Sequence, residues 1–340
     1  MAQTAPETLG ALSEGAPPED PNSSKAKEIT GKSPMQIAFG RLRRDKIAVV
    51  CAAVVVLFIL IAAFAGPICA IFNVNTDTVL ASERINILGG GLPKPEFGPP
   101  VGPFTMAHPF GVAPNNGDDN LAYFVYGART SLTISAIATI IAVILGITLG
   151  LLAGFLGGIV DRVISFFVDL FLTIPFLLAA LSIAPILSQR FAASPNYPKI
   201  QFIDLICVLA FFGWMGLARL IRGEVLSLRE REFVQAARVL GMPTSRILLK
   251  ELLPNLVAPI VVAISLLLPA FVTAEAGLAY LGIGVIGVPS WGQTVLKATP
   301  YFDTYPLYLY APVLGIFLLV VALNLLGDAI RDAFDPKTRR

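Results

Sequence analysis

Six stretches of the chain are apolar enough and long enough to cross a bilayer: 47–66, 128–156, 160–187, 203–223, 256–286 and 309–330. Each holds 18 or more residues, the length at which a helix bridges ~30 Å of hydrocarbon. Polar positions collect between these stretches, with the longest polar intervals at 67–127 and 224–255. The pattern predicts an all-α polytopic membrane protein with six transmembrane helices. It divides the chain into a first helix (47–66), a long intervening loop (67–127) and a five-helix core (128–335) that carries the 224–255 loop.

Composition agrees with that reading. Hydrophobic residues make up 55% of the 340 and charged residues 14%, against ~25% charged in an average soluble chain. The basic residues are unevenly placed. With the N-terminus inside, 19 of the 25 Lys and Arg fall on the cytosolic side of the six spans. Only Arg84, Lys94, Arg129, Arg190, Lys199 and Lys297 fall outside. Excess positive charge marks the cytosolic side, so both termini are expected in the cytosol.

Residues 1–34 are rich in Pro, Ser, Ala, Glu and Lys and lack aromatic residues, a composition expected of a disordered cytosolic tail. A basic amphipathic segment follows at 35–46. Its positive side would lie against anionic headgroups and anchor the first span. The apolar run after it is longer than the 7–15 residues of a signal-peptide core, so it reads as a retained helix. The last residues, 336–340, form a second cytosolic tail. Cys51, Cys69 and Cys207 have no metal or disulfide spacing and read as packing residues.

The extracytoplasmic loop 67–127 contains Gly89-Gly90-Gly91 and several prolines near 93–103, which exclude regular helix. It would be loop with short strands, either contacting a partner that delivers substrate or capping the bundle. In the second span, Gly146, Gly150, Gly154 and Gly158 recur every fourth residue. That spacing makes a smooth groove for close helix packing, the stronger reading over a pore lining. Pro175, Pro259 and Pro269 fall within spans, where neighbouring helices can satisfy the freed carbonyls.

Catalytic chemistry is hard to place on this chain. It has no Gly-x4-Gly-Lys-Ser/Thr phosphate loop, and its only histidine is His108, on the external loop. No cofactor or metal site is expected, and the chain is not expected to be an enzyme. Energy for any work would come from an ion gradient or from a partner.

The 224–255 interval bears on that choice. Phe233, Ala236, Ala237 and Leu240 stand at i, i+3, i+4 and i+7, a narrow apolar helix face. Gly241 follows as a left-handed C-terminal cap. Pro243 opens the next helix within its first turn, where a missing N–H costs nothing, and Pro254 is expected to end it. The product is a stiff helix–turn–helix with small residues where another protein can dock. A flexible linker needs no such turn chemistry.

Here the sequence resembles a known family, the permease subunits of ATP-binding-cassette (ABC) importers. The family's cytosolic signature is Glu-Ala-Ala, three residues, Gly, nine residues, Ile, one residue, Leu-Pro. This chain matches at Ala236, Ala237, Gly241, Leu253 and Pro254, and departs at Gln235 and Glu251. Further motifs resemble the C-type permease of dipeptide and oligopeptide importers: Tyr126 to Ser131, Val168-Asp169 with Ile174-Pro175, Tyr280 to Gly284, Pro289 to Gly292, Asn324 to Asp332, and Asp335-Pro336. After His108 to Gly111 the chain departs from the family's usual Thr-Asp and Gly-Arg-Asp elements, and its external loop is longer.

The resemblance implies a type I ABC importer permease in a bacterial inner (cytoplasmic) membrane, importing di- or oligopeptides. Its partners would be a second, homologous permease forming a heterodimer, two cytosolic ABC ATPase domains and an extracytoplasmic substrate-binding protein. ATP and Mg would be bound by the ATPases, and no nucleic acid is involved. Phe233, Gln235, Ala236, Ala237, Leu240, Gly241 and Pro243 would make up the coupling site. Related importers carry nickel chelates, glutathione or haem-related molecules, so a non-peptide solute stays open. So does an ion-coupled secondary carrier, which would want paired carboxylates at the midplane and no helix–turn–helix.

Asp169 lies well inside the third apolar span and Glu275 well inside the fifth. Each costs ~2.5–3.5 kcal/mol at mid-helix, so each is expected to face the bundle interior or water. Glu275 is a pathway or gate candidate, with an interhelical hydrogen bond as the alternative. For Asp169 a structural role leads over a pathway role. Arg219, Arg222 and Glu224 read as markers of the membrane interface.

Overall fold

The computed structural model describes residues 34–76, 81–87, 90–100 and 102–334. The N-terminal tail up to residue 33 and the tail at 336–340 lie outside the described residues. The expected amphipathic segment is helix α1 (Pro34–Leu42). Its Arg41 guanidinium donates to the Ala333 carbonyl near the far end of the chain, at 3.1 Å. Asp45 then caps α2 (Lys46–Ala63) by accepting from the Ile47 and Ala48 amides. A short α3 (Ala65–Ile71) continues the first span after a break at Phe64.

The long loop is mostly irregular, as its prolines and glycines demand. It holds the single turn α4 (Ala81–Arg84) and a two-stranded antiparallel pair, β1 (Ile85–Asn86) against β2 (Leu92–Pro93). It is tied down rather than loose: the Arg84 guanidinium donates to Gly117 O at 3.1 Å, and Asn115 bonds the Tyr301 hydroxyl. His108 Nδ1 lies 2.6 Å from Asp119 Oδ2, and Asp119 Oδ1 accepts from Ala122 N to cap the next helix. The lone histidine therefore belongs to a helix cap.

That helix, α5 (Asn120–Leu156), starts eight residues before the apolar run that signalled it. Next come α6 (Gly158–Leu172) and α7 (Phe176–Arg190). Each is short, and they meet at a 91° bend. The third expected span is thus a broken pair rather than a straight helix. Pro175 lacks an N–H and its ring disfavours helical geometry at Ile174, which favours the break at 173–175. α8 (Tyr197–Leu228) follows, then α9 (Glu232–Val239), α10 (Thr244–Arg246) and a π-helical stretch at Ile247–Leu252. The chain closes with α11 (Leu253–Asn255), α12 (Val257–Tyr280), α13 (Trp291–Ala298) and α14 (Pro306–Phe334). Among the described residues, α2, α5, α8, α12 and α14 are long and apolar enough to cross a membrane; the bent pair would make a sixth span.

The fifth span ends at Tyr280 rather than 286. Gly282, at φ +88°, terminates it, with Ile283 N bonded to Leu278 O at 2.9 Å and Gly282 N to Ala279 O at 3.1 Å. These are the paired bonds of a glycine C-cap. Trp291 is fully buried just beyond, its indole N–H donating to Phe124 O at 2.9 Å. Its ring fits against Gly127 and Gly315, where a Cβ would collide with Trp291 or Phe124.

The bundle is organised on α5 and α8, which pack along most of their lengths. A Cβ on Gly146 would stand 2.8 Å from Leu217, on Gly150 2.8 Å from the Ala218 carbonyl, and on Gly154 2.7 Å from Val225. The glycine groove is therefore filled by α8. Gly158 departs from it: with Gly157 it adopts positive φ and makes the turn into α6.

Gly150→Ala is expected to destabilise the chain by about 1–3 kcal/mol through overpacking. Gly223→Ala, whose Cβ meets nothing within 4 Å, should be neutral or slightly stabilising because it removes a helix-interior glycine. Thermal unfolding of the purified chain in detergent distinguishes them; equal midpoints would show that the seam does not hold the helices together.

Candidate functional site

The site is built at the end of the bundle where α8 runs out. Its last turn closes with Arg229 N on Val225 O at 2.9 Å. The Arg229 guanidinium then reaches back to Gly154 O at 3.1 Å and to Glu230 Oε1 at 3.0 Å. Gly154 O is among the terminal carbonyls of α5 that lack an intrahelical donor, where a cation is favoured. One side chain thus ties together the ends of both seam helices.

Gln235 contributes a second tie. Its Nε2 donates to Arg229 O at 3.0 Å, fixing α9 against the end of α8. A glutamate carboxylate is acceptor-only and would not make this bond, which gives the Gln235 departure a physical role. Arg238 adds a third, its guanidinium 4.7 Å from the centre of the Phe155 ring on α5, a cation–π contact.

The apolar face of α9 divides in two. Val234 and Ala237 are buried in a cluster with Leu151, Phe155, Ile221 and Val225. Phe233, Ala236, Val239 and Leu240 are exposed, Val239 at 88% and Leu240 at 82%. Ala237 therefore turns inward, away from the docking face expected of it, because it lies three residues from Val234 on the buried stripe. Gly241 has φ +73°. Met242 N bonds Ala237 O at 3.0 Å and Gly241 N bonds Arg238 O at 3.0 Å, a complete Schellman cap. A side chain at 241 would find open space, so backbone conformation alone calls for glycine there.

Pro243 stands just before α10, and its carbonyl accepts from Arg246 N and Ile247 N. The second helix ends at Asn255, one residue past Pro254, with a turn at Leu256 before α12. Before the proline it widens to a π-helix at Ile247–Leu252. A proline ring clashes with the carbonyl four residues back and leaves it without a donor; wider winding before Pro254 accommodates both. Ile247, Leu252 and Leu256 are buried in the same cluster as Val234.

The two carboxylates of the third span, Asp161 and Asp169, lie on α6 and pair with α8. Asp161 holds Arg222 in a two-pronged contact, with Nη2 to Oδ2 at 2.8 Å. Asp169 pairs with Arg219. The Asp169 and Arg219 side chains are 64% and 58% exposed, on a cleft of about 380 Å³. Arg219 and Arg222 are thus partners of the α6 carboxylates rather than simple interface markers.

Glu275 occupies a different place. It is fully buried on α12, with Ser131 and Ser290 beside it, though neither meets the geometry of a full hydrogen bond. The Ser131 and Ser290 oxygens also accept from Trp291 N and Gln293 N, each at 3.4 Å. Asp169 and Glu275 are therefore not brought together. Cys69 is buried, as a packing residue would be.

Sequence reasoning passed over Arg229, Arg238, Phe155 and Val234. Val234 stands three residues before Ala237, a signal that was present. The Arg229–Gly154 and Arg238–Phe155 contacts join segments more than 70 residues apart, and no local pattern announces them.

Comparison with known proteins gives a consistent result. Residues 146–340 match the family described as binding-protein-dependent transport system inner membrane component. Residues 33–83 match the N-terminal transmembrane domain of oligopeptide transport permease C. The oligopeptide transport system permease protein OppC of Bacillus subtilis (strain 168) is 32% identical, covering 95% of this chain and 97% of its own. The dipeptide transport system permease protein DppC of Alkalihalophilus pseudofirmus is 33% identical, covering 95% and 94%. An inward-facing structure of the MetNI methionine ABC transporter aligns at 21% identity with a TM-score of 0.48, covering 63% of this chain and 96% of that one.

Replacing Gln235 with methionine, similar in shape but without a donor, should loosen α9. Loss of a hydrogen bond worth about 1 kcal/mol is expected to raise amide exchange within 232–239 about fivefold, read by hydrogen–deuterium exchange mass spectrometry. Unchanged exchange would mean that the Gln235 bond does not hold the helix.

Proposed function

The chain belongs to the binding-protein-dependent inner-membrane permeases of ABC transporters, and we propose that it is the subunit that couples ATP hydrolysis elsewhere to import of di- or oligopeptides. It forms the translocation pathway with a homologous second permease. Two cytosolic ATPase domains bind beneath the pair, and an extracytoplasmic binding protein delivers the peptide. Both termini face the cytosol, as does α9, in line with the excess of Lys and Arg on that side. The membrane is a bacterial cytoplasmic membrane.

The observation that carries this reading is the two-faced α9. Its inner face is fused to α5 and α8 through Val234 and Ala237, while its outer face presents Phe233, Ala236, Val239 and Leu240 uncovered. Val239 and Leu240 are large apolar side chains left uncovered together at a helix end, the kind of surface that another protein covers. A push or pull on that face is transmitted through the Arg229, Gln235 and Arg238 ties to the seam helices. Stiff attachment is what converts ATPase closure into a rigid-body change of the bundle. Peptide is favoured as the cargo by the relatives that carry peptide names over 94% or more of their length.

Gly241→Val tests the assignment in the complete importer reconstituted in proteoliposomes. A β-branched residue at φ +73° is strongly disfavoured, so the cap should open and the α9 anchors lose their position. ATP-driven peptide uptake is expected to fall by tenfold or more, while ATP hydrolysis persists and no longer responds to the loaded binding protein. Uptake at the wild-type rate would count against α9 as the coupling element, and uptake that continues without ATP would favour an ion-coupled carrier.

A further inference from the structure

At the end of the bundle opposite α9, three elements meet: α7 closes at Arg190, α8 begins at Tyr197 and α12 ends at Tyr280. Between them lies a cavity of about 190 Å³, lined in part by Ser188, Gln201, Asp204 and the turn at Gly282–Gly284. Asp204 stands 25 residues before the Arg229 cap of α8, about 37 Å along the axis at 1.5 Å per residue. A hydrocarbon layer is ~30 Å thick, so with Arg229 at one face of the membrane the cavity lies at the other.

Two polar side chains are withdrawn into this cavity, Asp204 at 7% exposure and Gln201 at 8%. A carboxylate buried to that degree is costly unless a positive charge or several donors compensate it. Asp204 has one donor among the described residues, the Ser188 hydroxyl, 3.1 Å from Oδ2. None of the ion pairs among the described residues involves it. Its Oδ1 has no partner there and, unlike the Glu275 oxygens, is not sealed among packed atoms. A carboxylate oxygen is thus left open to the cavity.

Gln201 adds a donor. Its Oε1 accepts from Ile286 N at 2.8 Å, and that bond settles which end of the amide is which. The Nε2 amide keeps its N–H groups, again with no partner among the described residues and not sealed off. Residues 201 and 204 are three apart on one helix and so share a face. The wall they meet is held in place, because Gln293 Nε2 donates to Val285 O at 3.0 Å beside Ile286.

One turn of α8 therefore offers an anionic acceptor and a neutral donor side by side. A bare metal ion would suit the carboxylate but be repelled by the amide N–H groups, and the described residues hold no cluster of three His, Cys, Asp or Glu. A simple amine would leave the amide idle. A ligand with an ammonium and a carbonyl oxygen on neighbouring carbons uses both groups, and one ammonium balances one carboxylate. The cavity is several times the ~30 Å³ share of a water, which leaves room for such an end.

We propose that Asp204 and Gln201 form a subsite for the amino terminus of an entering peptide. Asp204 Oδ1 accepts from the peptide ammonium, and the Gln201 amide donates to the first peptide carbonyl. This rests on the peptide-importer reading given above, which puts this end of the bundle on the side where the binding protein delivers.

The test gives the complete importer in proteoliposomes a tripeptide with a free amino terminus and its N-acetylated counterpart. Each is supplied at saturation of the binding protein, whose affinity for both is measured separately. ATP-driven uptake of the free tripeptide by the unaltered importer checks the underlying reading; its absence would end that reading and the subsite with it. Asp204→Asn keeps an acceptor for Ser188 and removes the charge. It is expected to lower uptake of the free tripeptide about tenfold, as loss of one charge-assisted hydrogen bond does, and to leave uptake of the acetylated peptide within twofold. Equal loss of both would make Asp204 a structural group or a contact for the binding protein and would overturn the subsite, as would no loss of either. Photo-crosslinking of the unaltered importer, with a diazirine in the first side chain of the tripeptide, decides where the variant fails to assemble or the acetylated peptide is not carried. Adducts on α7, α8 or residues 281–290 beside the cavity support the subsite, and no adduct there refutes it.

Discussion

The close approach of α5 and α8 governs the rest of this molecule. Three glycines, Gly146, Gly150 and Gly154, leave no room for a side chain between the helices, and Leu217, Ile221 and Val225 fill the groove they make. Helices in a bilayer gain little from the hydrophobic effect when they associate, so contact of this kind depends on close van der Waals packing. Once the seam is closed, Gly154 O lies within reach of Arg229, and Phe155 lies under Arg238. The position of α9 follows from the seam.

A chain of contacts therefore runs from the exposed face of α9 to the cleft between α6 and α8. Val239 and Leu240 project outward from a helix whose other face is buried in the cluster of Leu151, Phe155, Ile221 and Val225. From there α8 leads up to Arg222 and Arg219, and these hold Asp161 and Asp169 on the bent pair α6–α7. The 91° bend at Pro175 lets α6 lie against one part of α8 and α7 against another, where the Ser188 hydroxyl donates to Asp204 Oδ2 at 3.1 Å. Packed side chains thus join α9 to the residues that line the cleft. No flexible linker intervenes, because the Schellman cap at Gly241 fixes the turn and the π-helical stretch before Pro254 returns the chain to the same buried cluster.

Much of this was legible in the sequence for physical reasons. Apolar runs declare membrane helices because water-free surroundings demand them. The Gly-x3-Gly spacing declared a groove, and Gly241 declared its cap because few other residues tolerate that backbone. What was not legible depends on tertiary neighbours. The start of α5 at Asn120 is set by the Asp119 cap and its His108 partner, both outside the apolar run. Ala237 was grouped with Phe233 and Leu240, yet burial of Val234 decides which stripe faces inward. Pro254 marked the end of the second helix to within one residue, but the π-helical winding before it, at Ile247–Leu252, had no local signal. The Asp169–Arg219 contact joins residues 50 apart in sequence, and only the fold shows that both emerge at one depth on one cleft.

The central claim is that the outer face of α9 is where an ATPase engages this permease. The most direct measurement is photo-crosslinking in native membranes, with a photoreactive amino acid in place of Leu240. The account predicts one main adduct at the combined mass of this chain and an ABC ATPase, identified by peptide sequencing, and its absence when the label replaces buried Val234. Adducts to lipid alone, or to an extracytoplasmic protein, would contradict it.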